Sequence, residues 1–172
     1  MSAADLAGTG LRLEAAFRAI HDTRMQGLGL CHPGLQVKAV GFAPEAAEPQ
    51  IAVGVLLTPW AMNLLRIALD AAAAATLADV GRQRLRAVGG RSIEFLGAHE
   101  AAIGRFETCS LFSPMSGFAD QASAVATARE VLRLLREPLA ATPAAPRTAA
   151  ADPVAERRRF LFGAGAAPAA RA

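Results

Sequence analysis

The segment Ile-Ala-Val-Gly-Val-Leu-Leu at residues 51–57 constrains this chain most. It carries no polar side chain and is rich in β-formers, so it reads as a central strand buried on both faces. Pro59 ends it, because proline lacks a backbone donor and holds Thr58 extended. The run is too short to cross a bilayer. A strand of this kind needs neighbours that complete a sheet and helices that cover it.

The flanking sequence supplies both. Residues 62–69 resume as a strand or a short helix; the strand is preferred and makes 51–69 a hairpin, and residues 36–42 alternate as another strand. Between them, 43–50 is a loop holding Pro44 and Pro49. Gly89 and Gly90 mark a turn, and 92–96 with 104–112 form a second antiparallel hairpin. In the latter strand Phe106, Thr108, Ser110 and Phe112 share one face; Glu107, Cys109 and Leu111 share the other. Leu13, Ala16, Phe17, Ile20 and Met25 recur at helical spacing over 11–28, with a stop around Gly27 and Gly29. A second helix spans 120–136 on Val125, Ala128, Leu132 and Leu135, widened by Val131 and stopped by Pro138. Residues 70–81 fit either a short helix capped by Asp70 or an irregular Ala-rich loop. The expected architecture is α+β: a mostly antiparallel sheet of about five strands, packed by an N-terminal and a C-terminal helix. Residues 1–10 read as a flexible leader, 11–137 as the domain, 138–155 as an Ala/Pro-rich linker and 156–172 as a basic tail.

Composition narrows the function. With 172 residues, 53% hydrophobic and 19% charged, the chain suits one domain with a real core. The net charge of +3 does not point to nucleic acid. Lys38 is the only lysine, the arginines are scattered apart from Arg157, Arg158 and Arg159, and aromatics do not interleave with them. The N-terminus has no basic region followed by an apolar one, so neither a signal peptide nor membrane insertion is expected. Cys31 and Cys109 form no CxxC pair, which fits a reducing cytoplasm. No phosphate-binding glycine loop is present.

Catalytic and metal chemistry find little support. Cys31, His32, His99 and Cys109 lack zinc-ligand spacing, and adjacent Cys31 and His32 strain to share an ion. Cys109 with His99 and Glu100 is the obvious nucleophile set, but Cys109 sits mid-strand with no elbow to lower its pKa. A thiol-dependent redox protein or metal carrier using Cys109 or Cys31 is the rival to a non-enzymatic protein without cofactor. Trp60 has two readings: a core anchor, which the residue alone favours, or an exposed anchor on a recognition surface. The loop Ser113-Pro114-Met115-Ser116-Gly117-Phe118 is a second proline-broken segment, with an adaptable Met and a Phe. Side by side, the two loops make a groove.

These loops carry a family resemblance. His32-Pro33, TPWAMNL at 58–64, CSLFSPM at 109–115 followed by Phe-Ala-Asp at 118–120, and RRRFLFG at 157–163 occur in the order seen in the HybE/HupJ family of [NiFe]-hydrogenase assembly chaperones. The chain resembles that family over about residues 10–136 and again in the tail. It has no CxxC and so none of the rubredoxin segment some HupJ-like relatives carry. The resemblance implies a cytoplasmic, non-enzymatic chaperone that binds hydrogenase subunit precursors before export. The clients implied are the small subunit with its twin-arginine signal, the large subunit, or both, with other maturation proteins as further partners. Thr58, Pro59, Trp60, Met62, Asn63, Phe112, Pro114, Met115 and Phe118 are the expected partner-binding residues, with Trp60, Met62, Phe112, Met115 and Phe118 as the contact surface.

Arg157, Arg158 and Phe160 are expected to modulate that surface. Glu156 to Phe162 resembles the twin-arginine box itself, although at this end of a chain it is not an export signal. It either mimics the client signal on the binding surface or, as the plainer reading, docks Phe160 and Phe162 onto the sheet. Deleting 156–172 separates the two: under mimicry the truncated protein binds a twin-arginine signal peptide more tightly, and unchanged or weaker binding rejects it.

Overall fold

The computed structural model describes residues 3–137. Strand β1 (Lys38–Pro44) pairs with β2 (Ile51–Leu57), which pairs with β3 (Met62–Ala68). A short helix, a three-stranded meander and a longer helix follow: α2 (Ala71–Ala74), β4 (Gln83–Val88), β5 (Arg91–Glu100), β6 (Gly104–Phe112) and α3 (Gln121–Arg136). The sheet has six strands in the order β1-β2-β3-β6-β5-β4, every neighbour antiparallel. Helix α1 (Ala3–Ile20) precedes it and runs into one π-helical turn, His21–Met25.

Burial of β2 organises the layers. All its residues are buried, and successive side chains enter two separate cores. Ile51, Val53, Val55 and Leu57 meet Ala124, Ala128, Leu132 and Leu135 of α3. Leu56 meets Leu13 and Phe17 of α1, along with Leu65, Ile67 and Phe106. The helices therefore cover opposite faces. Gly54 sits mid-strand because the Phe42 ring occupies the place of its side chain: a Cβ there would lie 2.4 Å from the ring. Gly89, at φ +56°, closes the β4–β5 turn against α3, where a Cβ would lie 1.5 Å from the Leu135 carbonyl oxygen.

Three details depart from the sequence expectations. The sheet has six strands rather than about five: β4 has no apolar face to mark it, since Arg84 and Arg86 alternate with an exposed Leu85 and only Val88 is buried. The leader is not loose from residue 3 onward. Gly8 and Gly10 weaken helix propensity, but burial of Thr9 and Leu13 holds α1 together. The first helix thus spans Ala3–Ile20 plus the π turn, not 11–28. The open choice at 70–81 resolves as a single turn, capped by the Asp70 carboxylate accepting from the Ala73 N–H at 2.7 Å. Residues 138–155 and 156–172, with Arg157, Arg158 and Phe160, lie outside the described residues.

A buried ionic cluster crosses β3 and β6. Arg66 and Glu107 are both fully buried and pair across the strands. Arg66 also donates to Glu45 at 3.1 Å and Glu48 at 2.9 Å, and its guanidinium lies 5.9 Å from the Phe95 ring centroid. Glu107 accepts from Arg86 and from the Ala78 N–H as well. Burial pushes the Glu107 carboxyl upward, but the hydrogen bonds from Arg86, Ala78 and Arg66 outweigh it and hold the pKa below the usual carboxylate range. Glu45 behaves oppositely: burial outweighs the pull of Arg66 and raises its pKa, and its Oε1 has no hydrogen-bond partner among the described residues. A carboxyl with a raised folded-state pKa stabilises the fold while protonated, and that contribution is lost as pH rises through the folded-state value. Glu45→Gln is therefore expected to lose less stability than the natural protein between acid and neutral pH. Urea unfolding of both across that range is the check; parallel curves would show that Glu45 does not titrate differently on folding.

Candidate functional site

The motif segments converge at one end of the sheet. The β2–β3 turn is closed by Thr58: its Oγ1 donates to the Ala61 carbonyl at 2.8 Å and accepts from the Ala61 N–H at 3.0 Å. The turn is pinned from two directions. His32 N–H donates to the Pro59 carbonyl at 2.8 Å, and Ser113 Oγ donates to the Trp60 carbonyl at 3.4 Å. Met62 stands opposite Phe112 in the β3–β6 register, just before a register shift. The 58–64 and 109–118 segments thus lie side by side, with His32-Pro33 against the first.

Aromatic rings line this end. Trp60 is half-buried and stacks on His21, with centroids 6.1 Å apart and planes 6° from parallel. Phe112 is 40% exposed and meets Phe118 edge-on at 5.4 Å. The π turn that carries His21 leads into Leu28 and Leu30, both largely exposed. Exposed Phe112 and Pro114, half-buried Trp60, Asn63 and Phe118, and these leucines suit an apolar peptide surface rather than a deep pocket. A cleft of about 370 Å³ is lined by Pro44, Glu45, Val53, Val88, Leu132 and Arg136. It does not coincide with the motifs.

Several expected contact residues prove internal. Met62 and Met115 are at most 1% exposed and belong to the α3-side core, so neither lines the surface. Thr58 and Pro59 are also buried and act by shaping the turn that presents Trp60. The alternation rule explains Met62: its side chain follows Leu64 into the core while its neighbours turn away. The Cys109 set does not assemble. His99 faces Arg105, and Cys109 faces Leu64, about 13 Å further along β6. Burial, reinforced by Glu94, raises the Cys109 thiol pKa, the opposite of what a nucleophile needs. Among the described residues, no three His, Cys, Asp or Glu side chains come together as a metal-ligand group, and no helix is long and apolar enough to cross a membrane.

Comparison with known proteins then decides the family. Residues 9–163 match the family described as [NiFe]-hydrogenase assembly, chaperone, HybE. The chain belongs to this family. It is 45% identical over 159 residues to Protein HoxT of Cupriavidus necator, covering 88% of this chain and 86% of that one. It is 38% identical over 160 residues to the hydrogenase expression/formation protein HupJ of Bradyrhizobium diazoefficiens, covering 93% and 90%. The solution structure of HybE from Escherichia coli shares the fold, with a TM-score of 0.57 over 92% of this chain and 91% of that chain at 18% identity.

In this HybE-family chain two elements of the convergence carry no motif to single them out. His21 joins the surface only because the π turn tips it onto Trp60. Leu28 and Leu30 alternate with Gly27 and Gly29, which read from sequence as a helix stop and nothing more. A pair of leucines between glycines is the one available signal, since apolar side chains in a turn have no core to enter.

Proposed function

We propose that the protein holds an immature hydrogenase subunit at the surface formed by Trp60, Phe112 and Phe118, without turnover. Membership of the HybE family supports the maturation role. The convergence of His32-Pro33 with the Trp60 and Phe112 loops at one apolar end of the sheet carries the assignment to these residues. Pro114 and Asn63 border the surface, and Arg157, Arg158 and Phe160 of the tail act as modulators. The clients are the small-subunit precursor with its twin-arginine signal, the large-subunit precursor, or both, engaged in the cytoplasm before export and alongside other maturation proteins. An unfolded or incompletely loaded subunit exposes apolar segments, and rigid aromatic anchors bind those at low entropic cost.

The test is co-purification of the tagged protein with each precursor, made with and without the twin-arginine signal. Retention of a precursor, lost when its signal is removed, identifies the signal-bearing segment as the grip. Retention regardless of the signal assigns the grip to the subunit body. Capture of neither precursor overturns the reading.

A further inference from the structure

The two edges of the sheet are treated differently. On β1 two outward groups are occupied: the Ala39 N–H donates to Glu14 Oε1 at 3.0 Å, and the Gly41 carbonyl accepts from Arg136. Such cover blocks strand addition. On β4 the Gly97 N–H bonds the Arg82 carbonyl, which sets the phase of the ladder. Residues 82, 84, 86 and 88 bond inward to β5. Gln83, Leu85 and Ala87 turn their N–H and C=O groups outward, and no hydrogen bond joins these to another described residue.

Side chains on this open edge have definite chemistry. Leu85 is 69% exposed and Leu96, its diagonal neighbour on β5, is 42% exposed. Arg84 stands exposed on the opposite face, and Arg82 precedes it. Neither has a carboxylate partner among the described residues. Arg86, by contrast, is engaged with Glu107.

We propose that β4 is a docking edge on which an extended segment of a partner polypeptide, alternating acidic and apolar residues, adds as a further strand. Backbone groups of Gln83, Leu85 and Ala87 supply the ladder. Apolar side chains of the segment cover Leu85 and Leu96, and its carboxylates meet Arg82 and Arg84. A second copy of this chain fits poorly: antiparallel pairing of β4 with itself sets Arg84 opposite Arg86 of the copy, and like charges directly opposed destabilise a strand pair. The inference does not depend on the Trp60 surface, so the two stand or fall separately.

The experiment titrates the isotope-labelled full chain with a short synthetic peptide alternating Glu and Val, and in parallel with one alternating Lys and Val. The expected result is slowed amide exchange at Gln83, Leu85 and Ala87 with the Glu–Val peptide, while the amides of Arg84 and Arg86, already bonded to β5, change little. Leu85→Pro removes an outward donor at a position where an edge strand tolerates proline, and is expected to weaken binding by about tenfold or more. If that variant fails to fold, the double change Arg82→Glu with Arg84→Glu carries the test by reversing the preference between the peptides, again by about tenfold. Equal binding of both peptides, protection confined to another part of the sheet, or no binding overturns the proposal. So does concentration-dependent self-association that Leu85→Pro abolishes, since that assigns the edge to a second copy.

Discussion

Arg66→Met is expected to destabilise the protein by about 3–5 kcal/mol, the cost of removing one partner from a buried ion cluster. The side chain is 1% exposed and bonds three carboxylates, so water does not replace it. Its loss falls unevenly. Glu107 keeps Arg86 and the Ala78 N–H, whereas Glu45 Oε2 loses the guanidinium that provides its hydrogen bonds, beside an Oε1 that has none among the described residues. Arg66→Lys offers little rescue, because a single ammonium does not reproduce a fork that meets Glu107 from Nη1, Glu48 from Nη2 and Glu45 from both Nη2 and Nε. Adding Glu45→Gln to Arg66→Met is expected to recover part of the loss, since one stranded charge disappears. The deficit also shrinks as pH falls, because the carboxylates neutralise as they lose their cation. Urea unfolding of the single and double variants at several pH values measures all of this. A loss below about 1 kcal/mol for Arg66→Met would mean that the cluster is solvated in the working protein.

That cluster shows where sequence reasoning reached and where it stopped. The both-face burial of residues 51–57, the strands around them and the terminal helices were legible because apolar period and proline breaks are local signals. Arg66 and Glu107 sit inside otherwise strand-like runs, and each looks like a solvent-facing residue until β3 is set beside β6. Strand β4 was hidden for the converse reason: it lies at an edge, exposes most of its side chains and so has no apolar face to read. At the functional end, the Trp60 and Phe112 loops were legible as motifs, but their adjacency is only a supposition until β3 is paired with β6. Which of their side chains face outward was not legible, because that depends on sheet phase. Phase sends Met62 inward, and the loop after β6 folds Met115 into the same core, while Phe112 stays at the surface.

This division yields the sharpest functional expectation. Trp60→Ala and Phe112→Ala are each expected to weaken capture of a subunit precursor about thirtyfold or more, the loss of about 2 kcal/mol that marks an interface anchor. Their stability cost stays near 1 kcal/mol, because each ring is partly exposed and forgoes mainly one aromatic contact, with His21 or Phe118. Met62→Ala and Met115→Ala should reverse the pattern. Both side chains are buried in the α3-side core, so truncation costs about 2–5 kcal/mol of stability, and binding falls only as far as the unfolded fraction rises. Precursor titration and urea unfolding on the same four preparations separate the classes. If Trp60→Ala unfolds as readily as Met115→Ala while the folded fraction binds normally, the indole is a core anchor after all, and the exposed rings of Phe112 and Phe118 have to hold the client alone.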